Sequence, residues 1–329
     1  LLIDNHGRPI TYLRLAVTDK CNLRCFYCMP EDGLNWLSRS ELMSNEEMLR
    51  ACTILVNMGI QKVRITGGEP FVRKDIMQFL TSLSQLNGLN ELSITTNGVL
   101  TAPYVKQLKG IGVTSVNLSL DTLDAARFFS ITRRDEFSAV MHTLDELLKH
   151  DMAVKINAVV MEGKNTADII PLVDLTKDLP ISVRFIEEMP FNGDGQIHET
   201  RLSWDYIRIL NEVASVYPQI QKITDAEYST AYNYHIPGYK GGVGIIAAYS
   251  RTFCGTCNRI RITPQGTLKN CLYDDGVLNI KNLMRLGKND DTIKDYLLTA
   301  FNNRVKDGWE AEKLVTHTGM HESMAAIGG

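Results

Sequence analysis

The stretch that decides the fold is Cys21-Asn22-Leu23-Arg24-Cys25-Phe26-Tyr27-Cys28, on a loop that follows the apolar run Leu13 to Val17. Three thiols spaced C-x3-C-x2-C share that loop. Three thiolates can hold three irons of a four-iron cluster, which leaves the fourth iron open to a substrate or cofactor. Structural zinc is the rival reading, and it normally takes four closed ligands. No local fourth ligand is available, since the nearest histidine, His6, lies well upstream. The loop therefore favours a cluster over zinc, and either over a disulfide.

Around this loop the first 190 residues repeat one unit. Short β-like runs begin near Tyr12, Lys62, Glu91, Ser115, Ala153 and Ser182. Amphipathic helical stretches separate them, at Asn45 to Met58, Lys74 to Leu86, Ala102 to Lys109, Phe137 to His150 and Thr166 to Asp178. Strands alternating with helices predict parallel βαβ units. Six units are too few for a closed eightfold barrel, which leaves a partial (β/α)6 barrel or a doubly wound sheet.

Alternation along the strands sorts their residues into two faces. One collects Leu13, Leu15, Val17, Val63, Ile65, Leu92, Ile94, Val116, Leu118, Val154, Ile156, Val183 and Phe185, and should pack under helices. The other collects Arg14, Ala16, Arg64, Thr66, Ser93, Thr95, Asn117, Ser119, Asp121, Lys155, Asn157 and Arg184. A filled barrel interior is rich in Val, Ile and Leu, and this one is not. Buried cations without partners cost several kcal/mol each, so an anionic ligand is expected in the lumen.

The 329-residue chain, 44% hydrophobic and 22% charged, suits one large domain or two unequal ones. Its formal charge of −3 offers no global basic footprint for nucleic acid. No apolar run approaches the roughly 18 residues of a membrane span, and no leader pattern opens the sequence. The cytoplasm is the expected compartment, with neither nucleic acid nor membrane as a partner. Seven cysteines in such a chain read as ligands rather than disulfides. Cys52, inside an apolar helical pattern, reads as core.

The cysteine loop, with Gly67-Gly68-Glu69-Pro70 after the next strand, resembles the radical S-adenosylmethionine (SAM) superfamily. The resemblance implies a partial (β/α)6 TIM-type barrel within an α/β fold, and a cluster on Cys21, Cys25 and Cys28 that cleaves SAM to a 5′-deoxyadenosyl radical. It also implies cofactor contacts at Tyr27, Gly68, Ser119 and Met189.

Beyond Met189 the βα rhythm stops, and a loop at Phe191 to Gly195 suggests a division into residues 1–195 and 196–329. The second part reads as a helix from about Ser203 to Val216, capped by Ser203, then hairpins and two further helices from about Asn279 and Asp291, a small α+β region packed onto the barrel. It carries Cys254-Gly255-Thr256-Cys257 and Cys271, again three thiols, here with zinc a more serious rival. Arg259 and Arg261 lie two apart on one strand face, where guanidiniums suit a phosphate or an electron-rich base edge.

Two three-cysteine sets and the run Phe253 to Arg261 narrow the resemblance to the GTP 3′,8-cyclases of molybdenum cofactor biosynthesis. That implies a second [4Fe-4S] cluster on Cys254, Cys257 and Cys271 that binds guanine, and GTP contacts at Arg14, Arg64, Thr95, Lys155, Arg259 and Arg261. Arg184 joins them on charge and position alone. The implied reaction takes hydrogen from C3′ of GTP, joins C3′ to guanine C8 and yields the 3′,8-cyclised nucleotide. An electron donor and a downstream cyclic pyranopterin monophosphate synthase follow as partners, and a homodimer is left open. The tail pair Gly328 and Gly329 can thread a narrow channel and is expected at the catalytic site with Arg259 and Arg261. Two alternatives stay open, a peptide-modifying radical enzyme with auxiliary clusters and a zinc-holding nucleotide-binding module.

Overall fold

A computed structural model of the chain describes residues 2–189, 202–314 and 323–328. Six parallel strands come first: β1 (Tyr12–Ala16), β2 (Lys62–Thr66), β3 (Glu91–Thr96), β4 (Ser115–Ser119), β5 (Ala153–Val160) and β6 (Ser182–Glu187). They start where the sequence predicts. The intervening helices are α1 (Asn45–Met58), α2 (Ile76–Ser84), α3 (Val105–Gly110), α4 (Ala125–Thr132), α5 (Phe137–Lys149) and α6 (Ile169–Asp178).

Helix α1 shows how local chemistry sets these boundaries. Ser44 Oγ accepts from Glu47 N at 3.1 Å while Glu47 Oε2 accepts from Ser44 N at 2.8 Å, a reciprocal cap of which the serine alone is worth about 1 kcal/mol. Met48, Cys52 and Leu55 then fall on one buried stripe, so Cys52 is core. Helix α4 escapes the periodicity reading because one of its two phenylalanines, Phe129, faces solvent. Its ends are set by Asp124, which accepts from Arg127 N at 2.7 Å, and by Arg133 at φ 55°.

Later elements are α7 (Tyr206–Val216), β7 (Gln221–Lys222), β8 (Ala231–His235), β9 (Gly242–Ile246), β10 (Arg259–Ile262), β11 (Thr267–Lys269) and β12 (Leu278–Asn279). Four helices follow among the described residues: α8 (Ile280–Arg285), α9 (Asp290–Phe301), α10 (Gly308–Leu314) and α11 (Met324–Ile327). The N-cap of α7 is Asp205, which accepts from Arg208 N at 2.7 Å. This corrects the expected start at Ser203, because a carboxylate complements the positive helix end better than a hydroxyl.

The strands of the smaller C-terminal region continue the barrel sheet. β9 pairs parallel with β6 and β10 pairs parallel with β1, so two hairpins extend one sheet at both edges, in the order β12-β11-β10-β1-β2-β3-β4-β5-β6-β9-β8-β7. The expected division at Gly195 lies outside the described residues. The apolar face from Leu13 to Phe185 packs as predicted, with each of its residues 3% exposed or less.

Candidate active site

Cys21, Cys25 and Cys28 stand on the loop that leaves β1. Arg24 N and Phe26 N tie that loop to the end of α4, donating to Thr132 O at 2.9 Å and Ile131 O at 3.1 Å. The exit of β2 lies directly against the chain entering the loop: Gly68 N donates to Thr18 O and Glu69 N to Lys20 O, both at 2.8 Å. A Cβ at Gly68 would overlap the carbonyl oxygens of Asp19 and Lys20, so only glycine permits this approach. Buried Glu69 accepts from Phe71 N, Thr96 Oγ1 and Asn97 N at 3.1, 2.8 and 2.7 Å. Burial nonetheless raises its carboxyl to about 7.

These elements border an open cavity of about 170 Å³ at the strand C-terminal ends. The three thiols line it with Tyr27, Gly68, Thr95, Ser119, Asp121, Asn157, Met189 and Met324, so each expected cofactor contact borders one space. Tyr27 OH donates to Asp121 Oδ2 at 2.8 Å, and Val159 N donates to Asp121 Oδ1 at 2.8 Å. Burial raises Asp121 to about 6 and pushes Tyr27 well above its ordinary value.

Burial also pushes the thiols up, to about 11 at Cys21 and about 12 at Cys28, with neighbouring negative charge adding to it. Cys25 moves well above its ordinary value for the same reasons. Such a trio ionises beside a strong local positive charge, which an iron–sulfur cluster supplies, so the donor set fits that group. Among the described residues no three His, Cys, Asp or Glu side chains converge as ligands of a single ion.

Below the cavity the lumen is cationic. Strand register sets Arg261, Arg14 and Arg64 side by side across β10, β1 and β2. Lys155 lies beside Asn117, and Arg184 beside Asn157. Arg64 Nε reaches Ser93 Oγ at 3.3 Å. Glu91, whose charge acts on Lys155, is bonded to Lys62 at 2.6 Å. Arg14 Nε, Arg184 Nε, Thr95 Oγ1, both side-chain polar atoms of Asn117 and Asn157 Oδ1 are buried with no partner among the described residues.

Desolvation, then mutual repulsion, brings Lys155 down to about 8 and Arg184 to about 10, and lowers Arg14 well below its ordinary value. A lumen so lined is poised for a polyanion that carries further hydrogen-bonding groups.

The second thiol set sits behind β10. Cys254 and Cys257 flank a short 3-10 turn, and Cys271 follows β11. Burial alone would raise Cys257, but Arg259 and Arg304 bring it down to about 6. Arg259 Nη2 lies 3.4 Å from Cys257 Sγ. Burial raises Cys271 to about 11, so this donor set, like the first, fits a group of strong positive charge.

Arg261 Nη1 donates to Gly328 O at 2.5 Å. Gly328, at φ 80°, lies against Ala16 and Thr66, which places the tail inside the lumen between the cavity and the arginine row. Its neighbour Gly329 lies outside the described residues.

Several residues of this site escape motif reading. Tyr12 and Lys62 share a register level with Arg259, and the Tyr12 hydroxyl is buried without a partner among the described residues. The same alternation that exposed Arg14 and Arg64 places both on the lumen face. Asp121 shows in the sequence as a lumen-face acid, without its partner Tyr27. Arg304 carries no local signal at all, since its relation to Cys257 exists only across the fold.

Comparison with known proteins fits this geometry. A model of the Radical SAM superfamily matches residues 15–176, and one for Molybdenum Cofactor Synthesis C matches residues 181–309. The GTP 3′,8-cyclase of Syntrophomonas wolfei is 38% identical over 323 residues, covering 94% of this chain and 97% of that protein. The mitochondrial GTP 3′,8-cyclase of Arabidopsis thaliana is 39% identical over 305 residues, covering 92% and 78%. Molybdenum cofactor biosynthesis protein 1 of Dictyostelium discoideum is 38% identical over 98% of this chain but 50% of its own length. The chain thus spans about half the length of such longer relatives. Among solved structures, Streptococcus suis SuiB bound to S-adenosylmethionine superposes with a TM-score of 0.60 at 17% identity, covering 88% of this chain and 67% of that one. The enzyme anSMEcpe with bound AdoMet gives 0.58 at 16%, covering 96% and 93%. At such identities these two support the partial barrel alone.

Proposed function

Since the chain belongs to the radical SAM superfamily and, within it, to the GTP 3′,8-cyclases, we propose that it converts GTP to (8S)-3′,8-cyclo-7,8-dihydroguanosine 5′-triphosphate, the first step of molybdenum cofactor biosynthesis. When bound, the clusters and SAM supply the electron and the 5′-deoxyadenosyl radical that takes the C3′ hydrogen. The protein's share is placement. The observation that carries the reading is the stacking along the lumen: a cavity edged by one thiol set lies above a row of cations that have no carboxylate partner among the described residues, and a second thiol set adjoins the far end of that row.

Tyr27, Gly68, Ser119 and Met189 would hold SAM at the mouth. Arg14, Arg64, Lys155 and Arg184 would take the triphosphate, with Thr95 adding a hydroxyl. Arg259 and Arg261 would place guanine against the cluster held by Cys254, Cys257 and Cys271. Holding C8 near C3′ is an entropic contribution, and the tail at Gly328 would exclude water from the radical. Arg261, fixed by the tail, would act at the reacting base, and Gly328 and Gly329 are the tail pair we assign to catalysis with it. This arrangement favours cyclisation over peptide modification, because the second thiol set adjoins cations suited to a nucleotide.

An electron donor is needed at the first cluster, a cyclic pyranopterin monophosphate synthase would take the product onward, and a homodimer is compatible with the reading. All seven cysteines are free, which suits a reducing cytoplasm, and no helix among the described residues is long and apolar enough to cross a membrane.

The test is anaerobic turnover of reduced, cluster-reconstituted protein with SAM, with and without GTP, following 5′-deoxyadenosine and nucleotide product. GTP-stimulated deoxyadenosine release with a cyclised triphosphate supports the assignment. Deoxyadenosine formed with GTP untouched would leave the radical fold and remove the substrate. Zinc without acid-labile sulfide would support the binding-module alternative.

A further inference from the structure

The N-terminal segment ahead of β1 reaches the second thiol set through buried charge. Asp4, with a side chain 0% exposed, accepts from Arg8 Nε at 2.7 Å and from Arg304 Nη1 at 3.0 Å. Its other oxygen accepts from the backbone N–H groups of His6 and Arg8, both at 2.9 Å. One carboxylate thus orients two guanidiniums that are themselves 7% and 2% exposed.

What those guanidiniums grip is the frame of the thiol set. Arg8 Nη1 donates to Cys254 O at 3.2 Å and to Lys306 O at 2.6 Å. Arg304 donates to Cys257 O at 3.3 Å, to Arg259 O at 3.0 Å and to Asn270 O, immediately before Cys271, at 3.1 Å. Every thiol of the set is therefore held at its own backbone or its neighbour's. Arg304 Nη2 also comes within 3.9 Å of Cys257 Sγ.

Charge counting gives the array a direction. Two guanidiniums share one carboxylate, so one positive charge is left over in a buried site, where it costs several kcal/mol unless an anion compensates it. An ionised Cys257, its Sγ 3.9 Å from Arg304 Nη2, would be such an anion.

We propose that Asp4, Arg8 and Arg304 are positioning residues for the second cluster: Asp4 locks the two guanidiniums, these fix the spacing of Cys254, Cys257 and Cys271, and Arg304 supplies a fixed positive charge to the cluster. The proposal rests on the second-cluster reading above. It assigns the segment before β1 a part in the chemistry, although that segment touches neither cavity nor lumen.

The experiment uses full-length, anaerobically reconstituted protein carrying Asp4→Asn, Arg304→Met or Arg304→Lys. Iron and acid-labile sulfide are measured per chain, and each reduced cluster is followed by EPR and redox titration. SAM cleavage at the first cluster, without GTP, serves as the folding control.

The expected result is loss of up to about half the iron in Arg304→Met, all from the second cluster, with SAM cleavage kept. In the fraction that still holds two clusters, removing the cation should lower the second potential and removing the Asp4 charge should raise it. A scaffold without electrostatic influence would not move the two in opposite directions. Arg304→Lys, which keeps charge without the planar fork, should hold the potential closer to wild type than Arg304→Met does.

Wild-type iron with an unchanged second-cluster potential in both Asp4→Asn and Arg304→Met would overturn the proposal while leaving the two-cluster reading intact. Wild-type protein that takes up only one cluster would overturn both.

Discussion

The Arg261 guanidinium donates to the Gly328 carbonyl at 2.5 Å, sixty-seven residues further along the chain. A Cβ on Gly328 would stand 2.5 Å from Thr66 Oγ1 and 2.9 Å from Ala16 Cβ, at a backbone φ of 80° that side chains resist. Gly328→Ala should therefore expel the tail from the lumen, release Arg261 and lower GTP turnover at least about tenfold, the equivalent of about 1.4 kcal/mol. SAM cleavage measured without GTP should change less than twofold. Equal loss of both activities would show that the tail acts on the whole barrel rather than on the substrate.

Gly68 is constrained by space alone. Its Cβ would overlap two backbone carbonyls of the segment entering the first cysteine loop, and backbone cannot rotate away as a side chain can. Gly68→Ala should reduce first-cluster iron and SAM affinity together while the second cluster stays. Iron analysis against SAM binding by calorimetry checks this, and normal iron with only weakened SAM binding would confine the role of Gly68 to the cofactor.

Glu69 gives the loop a pH signature. Burial raises its carboxyl from an ordinary 4.5 to about 7, so the folded chain binds a proton that the unfolded chain has released. The corresponding stability is fully present below about pH 4.5 and is lost as pH rises through 7, on the order of 3 kcal/mol in total. Denaturant midpoints should fall across that window in the wild type and fall less in Glu69→Gln. A midpoint that rises with pH would reverse the sign and refute the assignment.

Lys155 should couple nucleotide binding to protons. Desolvation and then the nearby arginines hold its ammonium down to about 8, and a bound triphosphate would raise it again. GTP affinity should weaken above pH 8, with proton uptake on binding visible as a dependence of calorimetric heat on buffer ionisation. Lys155→Met should abolish the uptake and weaken GTP at least about tenfold, about 1.4 kcal/mol. It should also raise the melting temperature of the ligand-free chain by relieving a buried cation.

Much of the site can be read from local pattern. Both thiol sets, the glycine turn and the lumen cations follow from spacing and from the two-residue alternation of a strand, and the structure brings Arg14, Arg64 and Arg261 to a single register level. Reading stops where no short period operates. Helix α4 is set by its caps more than by a clean stripe, α7 starts at Tyr206 with Asp205 rather than Ser203 as its cap, and Tyr12 and Lys62 lack a motif although they share the lumen face.

By itself, then, the sequence determined the six βα units, which strand faces turn to helices and which to the lumen, and that two loops each carry three thiols. These depend on interactions within a few residues, where periodicity and geometry coincide. The tertiary structure alone decided that the C-terminal hairpins extend the barrel sheet at both edges rather than pack upon it. It also decided that Gly328 reaches Arg261 and that Asp4 reaches Arg304 across 300 residues. Those contacts join segments far apart in the sequence, and a buried charge selects its partner there by desolvation and distance, neither of which is written in neighbouring residues.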